Sequence, residues 1–160
     1  MKILGIDPGS TRIGYGIIKK ENRELKFLRA GLLKIEAKGK NHRLLDLEKS
    51  FSKLLEKEKP DLVAIEKLYF AKNVTTALEV AQSRGILTLL IIKHKIPIIE
   101  LTPLEVKQNL TGYGRADKKI VAKMAAKILG IEKIKGYDDA SDAIAIAIAG
   151  ECYAKAKNWE

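Results

Sequence analysis

Ile3-Leu4-Gly5-Ile6-Asp7-Pro8-Gly9-Ser10 decides how this chain is read: four apolar residues, a carboxylate, then a turn. An apolar run without polar alternation reads as a strand covered on both faces, as inside an α/β sheet. Leu62-Val63-Ala64-Ile65-Glu66 repeats the arrangement, again with the acid last. Residues 2–7, 13–19 and 26–35 read as three successive strands, separated by turns at Pro8-Gly9-Ser10 and Glu21-Asn22-Arg23. The period then changes. Leu44, Leu47, Phe51, Leu54 and Leu55 recur at helical spacing through 41–58, and Pro60-Asp61 ends that helix before the strand that leads to Glu66.

Residues 73–92 read as a long helix carrying Leu78, Ala81, Gln82, Gly85 and Leu89, with Gly85 small enough to permit close helix packing. A short strand covers Ile96 to Leu101, and Thr102-Pro103-Leu104-Glu105 has the cap, proline and acid of a helix start. Gly112-Tyr113-Gly114-Arg115 reads as a loop, and a helix from Asp117 to Leu129 ends at Gly130. The alternation in Ala143-Ile144-Ala145-Ile146-Ala147-Ile148-Ala149 suits a strand, but its alanine content and acidic entry favour a buried helix. The expected fold is α/β, a mixed five-stranded sheet flanked by helices, in a single domain over residues 1–160.

The formal net charge of +10 points to an anionic partner, nucleic acid before others. With Cys152 as the only cysteine there is neither a disulfide framework nor a cysteine zinc site, and His42 and His94 have no metal-ligand spacing. The apolar run Ile86 to Ile92 is too short to span a bilayer, and no signal-peptide layout precedes Asp7. A cytoplasmic protein with no membrane partner is expected.

Acids at strand ends are costly to bury unless neutralised, and neither apolar run contains a Lys or Arg. A divalent cation is the natural neutraliser, since carboxylate oxygens are the ligands that Mg²⁺ and Mn²⁺ prefer. Asp7 and Glu66 would meet if their strands are parallel neighbours. Asp139 and Asp142, three residues apart, share one helix face and can point at the same place. Metal-assisted hydrolysis of a phosphodiester uses such a set, commonly around two ions. No Gly-x-x-x-x-Gly-Lys loop, dinucleotide fingerprint or convincing Ser-His-acid arrangement competes. An Asp-x-Gly-Ser turn also meets phosphate in actin-like and sugar-kinase folds, but those chains are usually much longer.

Gly5-Ile6-Asp7-Pro8-Gly9-Ser10 followed by Gly14-Tyr15-Gly16 closely resembles the start of the RuvC family of Holliday-junction resolvases. The resemblance continues through Ala64-Ile65-Glu66, Ala71-Lys72-Asn73, Gln82-Ser83-Arg84-Gly85 and Asp139-Ala140-Ser141-Asp142-Ala143. It implies a ribonuclease H-like fold and a homodimer that nicks four-way DNA junctions symmetrically in recombination and repair. Magnesium would be the cofactor, with manganese able to substitute, and a branch-migration motor of RuvA and RuvB type the further partner. Carried over by position, Asp7, Glu66, Asp139 and Asp142 would be the catalytic, metal-binding acids, and Asp138 a cap or an outer acid. Lys72, Lys107, Arg115 and Lys118 would meet DNA. Tyr69 would stack on bases at the crossover, with Phe70 beside it as the other candidate. Two alternatives stay open: a ribonuclease H-like nuclease of ribosomal RNA precursors, and a junction-binding protein without catalysis.

Overall fold

The computed structural model describes residues 1–9, 12–36, 39–67 and 74–156. In chain order these form β1 (Lys2–Pro8), β2 (Ile13–Glu21), β3 (Glu24–Leu32), α1 (Lys40–Glu58), β4 (Leu62–Glu66), α2 (Val74–Lys93), β5 (Ile98–Leu101), α3 (Pro103–Thr111), α4 (Lys118–Ile128) and α5 (Asp138–Ala156). The strands make one mixed sheet in the order β3-β2-β1-β4-β5. β1 is its middle strand, which explains the unbroken apolar run: Ile3, Leu4 and Ile6 are all fully buried. It pairs antiparallel with β2 and parallel with β4, and β4 pairs parallel with β5.

Side chains alternate between the two faces of a strand, so each buried residue joins one of two cores. Ile3, Leu62 and Ala64 face a core shared with α3, α4 and α5, whereas Leu4, Ile6, Val63 and Ile65 face one shared with α1 and α2. Continuing that alternation by one residue puts Asp7 and Glu66 on the α5 face.

The hairpin joining β2 to β3 is tighter than the sequence suggests. Asn22 takes a left-handed φ of 56°, which closes a two-residue turn and starts β3 at Glu24 instead of residue 26. β5 begins at Ile98, not Ile96, because Lys95 (φ 57°) still belongs to the turn after α2. A Cβ on Gly85 would meet nothing within 4 Å, so within the chain it packs against no described helix. It lies on an exposed stripe with Leu78, Gln82, Leu89 and Ile92, spaced four, three, four and three.

α5 is a helix, as its acidic entry favours, and it is buried from Ala143 to Gly150. Small residues let it lie directly on the sheet. A Cβ on Gly5 would stand 2.0 Å from the Ala143 carbonyl oxygen, and one on Gly14 would stand 2.1 Å from that of Asp139. Gly16 meets Ile144, and Gly150 meets Ala64 in the same manner. At the far end, Lys20 of β2 pairs with the buried Glu151 at 3.0 Å. The sheet therefore sets the position of α5 along its length. No described helix is long and apolar enough to cross a membrane.

Candidate active site

In the parallel pairing of β1 with β4, Ile6 stands opposite Ile65, so Asp7 and Glu66 follow as the next neighbours. Adjacent strands lie about 4.8 Å apart, close enough for the two carboxylates to repel strongly. α5 supplies the other acids. Asp139 is seated over Gly14, the β2 partner of Asp7, while Asp138 is exposed in the first turn. The structure thus distinguishes these two neighbours, turning Asp139 toward the sheet. The Tyr137 carbonyl accepts from the amides of Ala140 and Ser141 and so closes the start of the helix.

Asp7, Glu66 and Asp142 line a cavity of about 290 Å³ with Lys107, Lys118, Pro103, Val106, Val121, Ala145 and Ile146. Helix caps fix both lysines. Thr102 and Glu105 form a reciprocal capping box at the start of α3, one turn before Lys107. The Asp117 side chain accepts from the Ile120 amide at 2.9 Å and caps α4, whose first residue is Lys118. Lys118 Nζ then reaches Asp142 Oδ2 at 2.6 Å.

The charge in this cavity is not balanced. Burial first, then Glu66, Asp142 and Asp139, push the Asp7 carboxyl up to about 7, and Lys118 offsets only part of that. Burial and then Asp142 raise Glu66 as well, against Lys118 and Lys107. Lys118 is shifted upward, first by its bond to Asp142. A buried carboxyl pushed up to about 7 by its acidic neighbours marks a donor set short of a cation, and all its donors are hard oxygens. The residues therefore suit a divalent ion in chemistry. Among the described residues, no three such side chains form a ready-made cage. Lys118 holds Asp142 in its place.

The matching family model, "Crossover junction endodeoxyribonuclease RuvC", covers residues 3–150. The crossover junction endodeoxyribonuclease RuvC of Petrotoga mobilis is 43% identical over 148 residues, which cover 92% of this chain and 91% of the relative. The chain belongs to the RuvC family. That family comprises metal-dependent nucleases. The solved structure of Thermus thermophilus RuvC matches with a TM-score of 0.87 at 28% identity, covering 98% of this chain and 97% of that one. A second, of the Thermus thermophilus protein in complex with Holliday junction substrate, matches at 0.87 and 26%, covering 98% and 96%. The expected ribonuclease H-like architecture is the one this RuvC-family chain adopts.

Of the expected site residues, Asp7, Glu66, Asp142, Lys107 and Lys118 come together in the cavity, and Asp139 adjoins it beside Asp7. Arg115 is exposed in the turn just before α4. Tyr69, Phe70 and Lys72 lie outside the described residues. Sequence reading misses the Lys118–Asp142 pair, and it misses Arg84, whose Nε donates to the Glu66 carbonyl at 3.3 Å. The string Gln82-Ser83-Arg84-Gly85 marks the place of Arg84 but not its partner.

Proposed function

We propose that this protein is a metal-dependent endonuclease that resolves four-way DNA junctions by paired, symmetric nicks during recombination and repair. The observation that carries this reading is the register of β1 and β4, which sets Asp7 beside Glu66 beneath α5 in a cavity that Asp142, Lys107 and Lys118 also line. Family membership and the junction bound to a relative support the substrate.

Asp7, Glu66, Asp139 and Asp142 would hold Mg²⁺, with Mn²⁺ as a substitute and two ions per site. Bound there, the metal supplies an activated water and charge stabilisation for the leaving oxygen. The chain's own residues do the rest. Lys107 and Lys118 hold phosphate oxygens at the cavity wall, and Lys118 exchanges Asp142 for phosphate when DNA enters. The apolar lining of Val106, Val121 and Ile146 limits water around the acids. Arg115, exposed in the turn before α4, adds a phosphate contact, and Lys72 and Tyr69 extend the DNA-binding set.

A junction offers two equivalent strands, and a two-fold dimer offers two equivalent sites. The exposed stripe Leu78-Gln82-Gly85-Leu89-Ile92 on α2 supports a homodimer, because its spacing is that of a helix–helix seam. Residues 1–160 act as one domain, in the cytoplasm, beside a motor of RuvA and RuvB type.

The test is cleavage of a labelled mobile junction beside a linear duplex and a structured RNA, with Mg²⁺ or chelator. Paired nicks in the junction alone, lost with chelator and in Asp7→Asn, are expected. Asp7→Asn should still bind the junction, since it removes a metal ligand and no phosphate contact. Cutting of RNA alone would move the reading to RNA processing, and binding without any cut to a silent junction-binding protein.

A further inference from the structure

Gln82-Ser83-Arg84-Gly85 is the one string shared with the family that the site described so far leaves without a task. In the structure its three-dimensional surroundings are specific. Ser83 is buried and bonds back to the Glu79 carbonyl within α2. Arg84 leaves α2 toward the sheet and spans the ends of two strands. Its Nε donates to the backbone carbonyl of Glu66, the last residue of β4, and its Nη2 pairs with Glu100 Oε1 on β5 at 2.5 Å. Glu66 is the register partner of Leu101, the residue after Glu100, so the guanidinium ties together the adjoining ends of both strands. Beyond it the ladder has one more bond, from the Lys67 amide to the Leu101 carbonyl at 2.7 Å.

We infer that Arg84 is a positioning residue for Glu66, a clamp that fixes the peptide from which the metal-binding carboxylate springs; this rests on the reading of Glu66 as a ligand. A guanidinium is suited to the task because its donors diverge in a rigid plane and can meet a carbonyl and a carboxylate at once. Arg84 reaches the Glu66 backbone from α2, on the face of the sheet opposite α5 and the carboxylate. Glu66 stands where β4 ends, and a strand end frays unless something holds it. A ligand displaced by a fraction of an ångström binds its ion poorly, which gives the clamp its consequence for chemistry.

The experiment uses the full chain with Arg84→Ala, Arg84→Lys and Glu100→Gln, and Glu66→Gln as reference. Four quantities are read: single-turnover junction cleavage, Mn²⁺ binding by calorimetry without DNA, junction affinity in chelator, and hydrogen exchange at the Lys67 amide. For Arg84→Ala, cleavage and Mn²⁺ affinity should each fall about 10- to 100-fold while junction affinity changes by less than about twofold. The Lys67 amide should exchange faster, Glu100→Gln should show the same losses in weaker form, and Arg84→Lys should recover part of them. Wild-type cleavage and Mn²⁺ binding in Arg84→Ala, with Glu66→Gln inactive, would overturn the clamp and leave the role of Glu66 standing. Loss of junction affinity in proportion to cleavage would also overturn it, making Arg84 a DNA contact or a general prop. Undiminished cleavage and Mn²⁺ binding in Glu66→Gln would defeat the underlying reading, whatever Arg84→Ala does.

Discussion

The two faces of the sheet are packed by opposite means. Against α5, Gly5, Gly14, Gly16 and Ala64 bring backbone against backbone, leaving no room for a single added methyl at the glycines. Against α1 and α2, bulky side chains such as Leu47, Phe51, Leu87 and Ile91 fill the space. Aliphatic side chains can repack around a change, whereas a carbonyl 2 Å from a new Cβ cannot. The face that carries the candidate acids is therefore the one with least freedom, and the face that carries the exposed α2 stripe is the more forgiving.

Breaking the tight face should have the largest effect. Gly14→Ala would lift the start of α5 from β2 and carry Asp139 and Asp142 with it; cleavage should fall by about 100-fold or more, with the chain still folded by circular dichroism. On the opposite face, Leu87→Ala should cost about 2–5 kcal/mol of stability in denaturant melts and leave the cleavage rate intact at low temperature. If both variants lost activity alike, the contrast between the faces would fail.

A further effect follows from Asp7. Burial and the neighbouring acids push its folded carboxyl up to about 7 from an ordinary value of 3.8, so ionisation opposes folding. That cost is absent below about pH 4, grows as pH rises toward 7 and is complete above it. In chelator, stability should thus decline across this window by about 4 kcal/mol, and Asp7→Asn should remove most of the decline. Metal affinity should run the other way, weakening about tenfold per pH unit below 7, because the ion must displace a proton. The smallest effect belongs to the forgiving face. Gly85→Ala adds a methyl that meets nothing in the isolated chain and should stabilise it by about 1 kcal/mol, while Gly85→Leu should weaken self-association in sedimentation.

Much of this was legible in the sequence, for identifiable reasons. Apolar runs ending in Asp7 and Glu66 announce central parallel strands, and Thr102-Pro103-Leu104-Glu105 announces a capped helix, because those signals are local. The alternation in α5 misleads by resembling a strand; the real constraint is the glycine patch beneath it, which exists only once β1 and β2 are in register. Pairing of Lys118 with Asp142, and of Arg84 with the Glu66 carbonyl, joins residues 24 and 18 apart through the tertiary fold. No spacing rule reaches that far. The stripe on α2 was visible as residues, but its exposure was not, since periodicity alone does not say which face a helix buries.

Asp7, Glu66 and Asp142 are drawn from the first, the fifth and the last of the described elements. Residues so distant meet late in folding, after the long loops between them have closed. During synthesis, which proceeds from the N-terminus, the first two acids emerge well before α5 exists. A partly made chain therefore carries many of its basic residues but cannot yet assemble the acids proposed to cut DNA.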